Sequence, residues 1–493
     1  DGRAGVPGMS ASRKSAGATP PQTGGGTFAA SAAADPSSLI RSRDYRVLLV
    51  LAALVGLLVS TACWGFLELV HVVQVGVYSD LPQYLGYDVA PTWWSLPWLA
   101  LAGLLTAFAI ARLPGHGGHV PADGLKAGGA PTQPFELPGV LLAAAATLAL
   151  GLVLGPEAPL IALGLGLGAL ALRLIKRDAP QQALTLMAAA GSFAAVSAIF
   201  GSPVIGAVLL IEATGLGGAV LPLVLLPGLV AAGIGSLVFI GLGSWSGFST
   251  SAWALEPFAL APFDGPGWGD LGWTVVLALA TALVTFGIME LARWAKRVVD
   301  TRIFPFTAAA GLAVGGLAIA FAEATGESPN TVLFSGESAF TALFDTAAAT
   351  SLSTLALLIV FKGLAWSISL GSFRGGPTFP AIFLGVVAGL IAAHLPGYAE
   401  PQAVAALVGA SCVSVLRLPL SSVTIALLLS IKAGLTVAPL VIVAVVVAYL
   451  ASETLTAYVD SRVGAGAKSA DTVARAPAES PGSGLPRSSS RAW

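Results

Sequence analysis

Long apolar runs dominate this sequence and restrict its possible folds more than any other feature. They occupy residues 47–62, 137–154, 219–243, 351–371 and 436–451. Apolar runs of about 18 residues are typical of membrane-spanning helices. Charged residues make up only 10% of the chain, against about 25% in soluble domains, so most of the surface cannot face water. The sequence therefore predicts an all-α integral membrane protein.

Composition divides the chain into five parts. Residues 1–40 and 461–493 are polar tails rich in small residues, which we expect to be disordered. Between them we expect a first membrane half at 41–245, an extramembrane linker at 246–270 and a second membrane half at 271–460. We also expect no soluble domain after the membrane region.

Clusters of basic residues close to the apolar runs indicate the orientation in the membrane. Arg41, Arg43 and Arg46 precede the first run, and further clusters close later runs at 173–177 and 293–302. Cytoplasmic loops carry an excess of Lys and Arg, so these ends of the runs are expected in the cytoplasm. The formal net charge of −1 gives no reason to expect a nucleic-acid partner.

Several apolar segments are too short to span a membrane or are broken by proline and glycine. Residues 184–200 end at FGSPVIG, residues 402–416 end at LRLPLSS, and each is followed by another short apolar segment. Breaks at membrane depth are tolerated only where the backbone is buried in protein or lines a water-filled cavity. The breaks therefore indicate an internal pathway or site.

The chain also contains an internal repeat. GPEAPLIALGLGLGAL from Gly155 is similar to GPTFPAIFLGVVAGLI from Gly376, at a constant offset of 221 residues. The matching residues are Gly155, Pro156, Pro159, Leu163, Gly164 and Gly168 in the first copy, and Gly376, Pro377, Pro380, Leu384, Gly385 and Gly389 in the second. Interrupted helices at corresponding places in two halves indicate a binding site where the repeats meet.

Each GPxxP stretch is typical of a helix N-terminus, because proline fits the first turn, where an N–H would be unpaired anyway. Two such N-termini facing one cavity attract an anion through free N–H groups and the helix dipole. Glu157 lies in the first turn of one of them, where its carboxylate can occupy the anion's position. The dipole stabilises such a glutamate by about 0.3–1 kcal/mol, whereas burying an acid at membrane depth costs about 2.5–3.5 kcal/mol. A gating role is therefore favoured over a purely structural one.

Three stretches resemble the CLC family of chloride channels and proton-coupled chloride transporters. They are GPEAP, VFKGLAWSISLGSFRGGPTFPAIFLG at 360–385 and LRLPLSSVTIALLLS at 416–430. The resemblance covers roughly residues 45–458 and is to bacterial members without cytoplasmic regulatory domains. It implies two inverted-topology repeats with many tilted, broken and re-entrant helices. It also implies a homodimer with one anion pathway per subunit, both termini in the cytoplasm of a plasma-membrane protein, and Glu157 as the gate.

The resemblance further assigns anion-binding positions, several of which carry unusual residues. These positions are Gly118, His119, Gly155, Pro156, Ala158, Gly376, Thr378 and Phe379. Gly118 stands where the family usually offers a serine hydroxyl, and Ala433 or Gly434 stands where it usually offers a tyrosine. Pro377 has no N–H to donate, so Thr378 is the best remaining central ligand.

The internal proton site is changed as well. Ala213 stands where the family's exchangers commonly carry a second glutamate, and the preceding Glu212 aligns with a different acid of the family. This loss predicts weak or absent proton coupling but leaves open substitution by Glu212 or by water.

The histidines and two basic residues in apolar stretches leave alternatives open. His116 and His119 lack the further ligands that a metal site needs, so we expect neither a metal nor another cofactor. His119 is either a solvated loop residue or a pH-sensitive neighbour of the pathway. Lys362 and Arg417 either raise the potential for anions or pair with helix C-termini and buried acids.

Three functions compete at this point. The first is transport of chloride or another small anion by passive conduction, with proton-coupled antiport as its alternative. The second is an inverted-repeat secondary transporter for another solute. The third is an intramembrane enzyme, which lacks support because the sequence contains neither a convincing Ser–His pair nor a metalloprotease signature. The expected partners are the anion, protons if transport is coupled, the lipid bilayer and a second copy of the chain.

Overall fold

The structure of the protein is a computed structural model that describes residues 40–124, 132–215, 217–218, 221–246, 255–346 and 350–474. Helices form the regular structure of these residues, which contain no β-strand and one isolated bridge, between Gly155 and Gly376. Nine helical segments of the described chain are long and apolar enough to cross a membrane. The expected N-terminal tail, apart from Ile40, lies outside the described residues.

The first half of the chain contains eight described α-helices. They are α1 (Arg43–Val75), α2 (Leu81–Tyr84), α3 (Ser95–Arg112), α4 (Leu137–Ala149), α5 (Glu157–Ile175), α6 (Gln181–Phe200), α7 (Pro203–Thr214) and α8 (Leu221–Ser246). Short helical turns of other types lie at Gly76–Asp80, Thr92–Trp94, Pro114–Gly117, Pro121–Asp123 and Pro134–Glu136. Helix α6 is largely buried, because α5 packs against it on one side and α8 on another.

The second half of the chain also contains eight described α-helices. They are α9 (Trp268–Thr301), α10 (Ile303–Thr325), α11 (Phe340–Thr346), α12 (Leu352–Ser372), α13 (Thr378–Ala392), α14 (Glu400–Leu416), α15 (Pro419–Leu429) and α16 (Ala438–Ala474). Turns of 3₁₀ type lie at Pro329–Thr331, Glu337–Ala339, Ile431–Ala433 and Leu435–Val437. Helix α14 is buried along its whole length, between α13 and α16.

Three elements differ from the sequence prediction in extent. The apolar run 137–154 is not one spanning helix, because α4 ends at Ala149 and the chain turns at Gly151 with φ 103°. Helix α6 begins at Gln181 and, with 20 residues, is long enough to span. Helix α16 continues through 461–474, the first part of the expected disordered tail, because this stretch contains no proline to stop the helix.

The two predicted helix breaks are present. Gly201 adopts a left-handed conformation after α6, and the Ser202 side chain accepts the N–H of Ile205 to cap α7. Arg417 adopts the corresponding left-handed conformation, with φ 58°, between α14 and α15. Each break turns the chain back, so that α7 and α15 come from equivalent places in the two halves and pack against each other.

The repeated glycines explain how the helix pairs of the two halves pack. A Cβ on Gly385 would lie 2.6 Å from the Cα of Val408, and one on Gly389 would lie 2.5 Å from the Cα of Val404. Their counterparts in α5 face the backbone of α6 in the same way. Small residues allow membrane helices to approach this closely. The glycines recur in both halves because the helix pairs α5–α6 and α13–α14 pack in the same way.

Within the expected extramembrane linker, residues 255–267 pack against the helices. Leu255 and Phe258 are buried, and the Phe258 N–H donates to the Leu429 carbonyl at 2.7 Å. The Phe263 N–H donates to the Ala433 carbonyl at 2.9 Å. The apolar side chains of this segment therefore attach it to the end of α15 instead of leaving it as a free linker.

Candidate functional site

The two GPxxP stretches meet in the centre of the molecule. The N–H of Gly155 donates to the carbonyl of Gly376 at 2.7 Å, and the N–H of Gly376 donates to the carbonyl of Gly155 at 2.6 Å. Pro156 and Pro377 take equivalent N-cap positions, so α5 begins at Glu157 and α13 begins at Thr378. The pair of hydrogen bonds places the N-termini of α5 and α13 side by side.

The Glu157 side chain crosses from its own helix to the other one. Its carboxylate accepts the backbone N–H of Thr378, and the residue is only 1% exposed. A Cβ on either Gly155 or Gly376 would overlap this carboxylate. The glycines therefore provide the space that the carboxylate occupies, and a negative group sits at the positive end of α13.

Two polar atoms beside this contact have no hydrogen-bond partner. They are the second carboxylate oxygen of Glu157 and the Thr378 hydroxyl, and both are buried. Because Pro377 has no N–H, the first backbone donor of α13 is the one that Glu157 occupies. Phe379 is also buried, with its ring 5.7 Å from the ring of Phe200. An anion that replaced the carboxylate would thus find the Thr378 N–H and a free hydroxyl.

A second acid, Glu337, lies near Glu157, and the sequence analysis did not identify it. Glu337 starts the 3₁₀ turn after Gly336, and its Oε1 atom is buried without a hydrogen-bond partner. Burial, and to a smaller extent the charge of Glu157, raises the pKa of Glu337 well above its ordinary value. No local motif marks this residue, because its position depends on a long connection between α10 and α12.

Lys362 holds this connection in place. The residue is fully buried, and its Nζ atom lies 3.0–3.3 Å from the carbonyl oxygens of residues 331–334. The same Nζ lies 4.3 Å from the centre of the Phe383 ring. Of the alternatives given above, pairing with backbone carbonyls describes Lys362, and its charge stabilises the segment that leads to Glu337.

Arg417, the other basic residue left open, takes part in a different contact. Its guanidinium forms an ion pair with Glu453 and donates to the hydroxyl of Thr456 at 2.7 Å. Both partners lie on α16, so Arg417 ties the break between α14 and α15 to that helix. Pairing with an acid therefore describes Arg417 as well.

Comparison with known proteins identifies the family. The family model described as "Voltage gated chloride channel" matches residues 109–453. The chain is 30% identical over 373 residues to the "Putative ion-transport protein YfeO" of Escherichia coli O1:K1, which covers 74% of this chain and 83% of that protein. The Escherichia fergusonii protein of the same name is 29% identical over 371 residues, with the same two coverages. The chain belongs to the voltage-gated chloride channel family, the CLC family.

Solved structures agree with this assignment at the level of the fold. A slow cyanobacterial Cl⁻/H⁺ antiporter has a TM-score of 0.66 and 21% identity, with 83% of this chain and 94% of that chain covered. A CLC-type fluoride/proton antiporter has a TM-score of 0.61 and 17% identity, with coverages of 83% and 96%. The predicted CLC-like all-α membrane fold is confirmed. The CLC protein is a multi-pass membrane protein of an anion-transporting family and not an enzyme.

The first unusual position of this CLC protein, Gly118, lies in the loop before α4. Gly118 has φ 88°, a conformation that favours glycine, and a Cβ added to it would lie 3.1 Å from the Val140 side chain. His119 is exposed, and its ring contacts the carbonyl of Gly124. These contacts favour the solvated-loop interpretation of His119. The Gly118 N–H already donates to the Gly115 carbonyl at 2.8 Å, so Gly118 offers neither a free N–H nor a hydroxyl.

Ala433 and Gly434, which stand where the family usually has a tyrosine, lie against the 255–267 segment. Ala433 is buried in the 3₁₀ turn after α15, and Gly434 follows it with φ 91°. The carbonyl of Ala433 accepts the N–H of Phe263, and the Thr436 hydroxyl donates to the carbonyl of Phe263. Neither position of the CLC protein supplies a side-chain donor for an anion.

The Glu212 carboxylate caps α15. It accepts the N–H of Leu420 at 2.8 Å, the N–H of Ser421 at 2.7 Å and the Ser421 hydroxyl at 2.6 Å. Three donors fill most of the acceptor capacity of a carboxylate. Glu212 therefore has a structural partner in the other half of the molecule, and the adjacent Ala213 has no titratable group. In the part of the chain that the structure describes, no group of three or more His, Cys, Asp and Glu residues could hold a metal ion.

Proposed function

We propose that this CLC protein conducts chloride passively through a pathway gated by Glu157, with weak or no proton coupling. The contact between the Glu157 carboxylate and the Thr378 N–H carries the proposal. An anion that binds the same N–H must displace the carboxylate, so gate and ion compete for one donor. Protonation removes the charge of the gate and weakens its hold on α13.

The contacts around the internal proton position support weak coupling. A proton that crosses the membrane needs a chain of groups that can bind and release it. Ala213 cannot do so, and Glu212 already accepts three hydrogen bonds as a helix cap. Pathways of this kind conduct when the ion binds firmly enough to enter and weakly enough to leave. A site built from backbone N–H groups at a helix start and one hydroxyl, without a full positive charge among these donors, fits that requirement.

Proton-coupled antiport is the second candidate, and Glu337 is the observation that favours it. A buried acid close to the gate can receive a proton from Glu157 or deliver one to it. The structures named above belong to Cl⁻/H⁺ and fluoride/proton antiporters. Glu337 would supply one step of such a proton path, on the side of the connection between α10 and α12.

Location and assembly belong to the same proposal. The basic residues at the end of α9, in the segment 293–302, support a plasma-membrane protein with this end in the cytoplasm. Together with the resemblance, they support cytoplasmic termini. We further propose a homodimer with one pathway per subunit, which counting of photobleaching steps of labelled protein in bilayers would test.

Chloride efflux from liposomes tests the proposed function. Purified protein is reconstituted in vesicles loaded with potassium chloride and diluted into low-chloride buffer, and a potassium ionophore carries the counter-charge. We expect chloride release above that of protein-free vesicles, measured with a chloride electrode. Release equal to the protein-free level would contradict the proposal. Parallel runs with fluoride, bromide and nitrate determine the selectivity, which the altered ligand positions leave open.

A further inference from the structure

A cavity of about 190 Å³ lies beyond the ends of α1 and α10 that are far from the basic clusters. Its wall is formed by residues within the segment 78–95, around the start of α3, and by residues 328–330, after α10. One water molecule needs about 10–15 Å³, so the cavity has room for a small organic molecule. With the orientation proposed above, it faces the outside of the cell.

One hydroxyl in the wall of this cavity is buried without a partner. Ser95, the first residue of α3, lines the cavity and is 3% exposed, and its Oγ atom forms no hydrogen bond. Two other polar groups of the wall do have partners. The Tyr78 hydroxyl donates to the Leu150 carbonyl at 2.7 Å, and the Trp94 Nε1 donates to the Val77 carbonyl at 2.9 Å. Buried polar groups are normally hydrogen-bonded, so the Ser95 hydroxyl is the one available to a ligand.

The aromatic side chains of the wall leave only ring surface to a ligand. The polar atoms of Tyr78 and Trp94 are engaged with backbone carbonyls, as described above. Trp94 is also fixed by its neighbours, because its ring centre lies 5.8 Å from that of Trp93 and 6.3 Å from that of Tyr87. The faces of aromatic rings attract cations. The rings therefore favour a positively charged ligand with an apolar part.

The charge around the cavity also favours a cation. Asp88 is the charged residue of the described lining; it is exposed and forms no ion pair with another described residue. Residues 72–111 and 303–361, which contribute the two parts of the wall, contain no Lys, Arg or His. Their acids are Asp80, Asp88, Glu323, Glu327, Glu337 and Asp345. Such an excess of negative charge raises the local concentration of cations.

The ligand groups fit an organic cation better than a metal ion. Calcium takes about 6–8 oxygen ligands, with carboxylates among them, and the described lining has one carboxylate, that of Asp88. A primary ammonium group instead has three N–H donors, as a lysine does. One hydroxyl and one carboxylate beside aromatic rings are sufficient partners for it.

Tyr78 connects the wall of the cavity to the gate. Its hydroxyl is bonded to Leu150, which begins the short stretch that leads to Glu157. Its ring lies 5.1 Å from the ring of Phe334, edge to face, shortly before Glu337 in the chain. A ligand that packs against Tyr78 would therefore act on both segments that lead to the two acids.

We propose that this cavity binds a small primary ammonium ion and that its occupation stabilises the closed gate. The ammonium group donates to the Ser95 hydroxyl and the Asp88 carboxylate, and its alkyl part lies against the aromatic rings. The cavity has this form in the structure in which the Glu157 carboxylate occupies the start of α13. A ligand shifts a protein towards the conformation that it binds. Binding does not depend on the proposed anion transport, whereas the effect on the gate rests on it.

Binding of ethylammonium tests the site without transport. Saturation-transfer NMR on the purified chain, with ethylammonium chloride replacing sodium chloride at constant chloride, should show saturable binding. Ser95→Ala removes the buried hydroxyl and should raise the Kd about tenfold. Asp88→Asn removes an exposed charge and should raise it about fourfold. The matched control is Asp80→Asn, an exposed acid of the same stretch that does not line the cavity, which should leave the Kd unchanged.

Chloride efflux from liposomes measures the effect on the gate. With ethylammonium on both sides of the membrane at constant chloride and pH, we expect the flux to fall to about half or less. Tyr78→Phe keeps the ring in the wall but removes the bond to Leu150. In this variant the Kd should stay within about twofold, and most of the reduction in flux should be lost.

The outcomes separate this proposal from the proposed function. Absence of saturable binding, or a Kd unaltered in both Ser95→Ala and Asp88→Asn, would overturn the site. If Ser95→Ala does not fold, the comparison of Asp88→Asn with Asp80→Asn decides, because both residues are exposed. Binding without any reduction in flux would overturn the effect on the gate. A protein that binds ethylammonium as expected but conducts no chloride would contradict the proposed function and support the site.

Discussion

At the residue scale, the charge of Glu157 decides whether the start of α13 is open to an anion. The carboxylate accepts the Thr378 N–H and fills the space left by Gly155 and Gly376. Glu157→Gln keeps the size of the side chain but removes the charge that the helix dipole attracts. We therefore expect chloride flux from liposomes that no longer rises on acidification and is at least as large as the flux of the unchanged protein at neutral pH.

Glu290→Gln is the matched control for this experiment. Glu290 is a partly exposed acid that pairs with Arg293 on α9, away from the helix starts. Its removal should leave the pH profile of the flux unchanged. A Glu157→Gln protein whose flux still follows pH as before would rule out Glu157 as the gate.

Glu337 leads to a second prediction at the same scale. Burial and the charge of Glu157 raise the pKa of Glu337, which favours its neutral form. Glu337→Gln therefore keeps the neutral state and approximate size of the side chain and removes only its capacity to exchange a proton. We expect the midpoint of the pH-dependent flux to stay within about half a pH unit of that of the unchanged protein, measured in the same efflux assay. A midpoint that moves towards acid by about one pH unit or more would show that Glu337 is ionised beside Glu157 and would contradict this prediction.

The two glutamates also show which site residues a sequence can reveal. Glu157 and Thr378 follow from the GPxxP repeat, because proline and glycine mark a helix start locally and the constant offset pairs the two starts. Glu337 carries no such mark. It reaches the gate because Lys362 binds the carbonyls of residues 331–334, a contact between segments about 30 residues apart. Such contacts depend on the tertiary fold and not on local pattern.

At the scale of elements, the repeated glycines predict where the helix pairs tolerate no additional atoms. Gly385→Ala and Gly389→Ala would place a methyl group within 2.6 Å of the α14 backbone. Overpacking of this kind costs about 1–3 kcal/mol. We expect a melting temperature several degrees lower for each variant, measured by the loss of the monodisperse peak in size-exclusion chromatography after heating.

The control for helix packing is Gly316→Ala in α10, where no atom lies within 4 Å of the added Cβ. Alanine is favoured over glycine in a helix interior by about 0.5–1 kcal/mol. The control should be as stable as the unchanged protein or slightly more stable. Equal melting temperatures for Gly389→Ala and Gly316→Ala would contradict the close approach of α13 and α14.

Element boundaries were predictable where proline or glycine sets them and not elsewhere. The breaks before Pro203 and Pro419 lie where the sequence placed them. The early end of α4 is not predictable from the sequence, because residues 150–154 are as apolar as the helix before them. The helix ends there because the following residues connect it to Gly155, which is hydrogen-bonded to Gly376. The packing of residues 255–267 was missed for a similar reason, since their partners lie at the end of α15.

At the scale of the whole molecule, the two halves contribute unequally to one site. Each half supplies a helix start, but only the first half supplies a carboxylate, and Thr378 takes the equivalent position in the second. Glu212 of the first half also contacts a helix start of the second half, because its carboxylate caps α15. Two carboxylates of the first half thus occupy helix N-termini of the second half. Glu157 does so at α13, as the proposed gate, and Glu212 does so at α15, as a structural cap.

This asymmetry leads to the prediction that separates passive conduction from antiport. With a chloride gradient and a pH gradient across the vesicle membrane, an uncoupled protein stops net flux at the chloride equilibrium potential, about 59 mV per tenfold gradient. A coupled protein stops it at a potential that also depends on the pH gradient. Because Glu212 already accepts three hydrogen bonds as a helix cap and Ala213 has no titratable group, we expect a reversal potential that does not move with pH. A shift that disappears in Glu337→Gln would instead establish antiport, with Glu337 on the proton path.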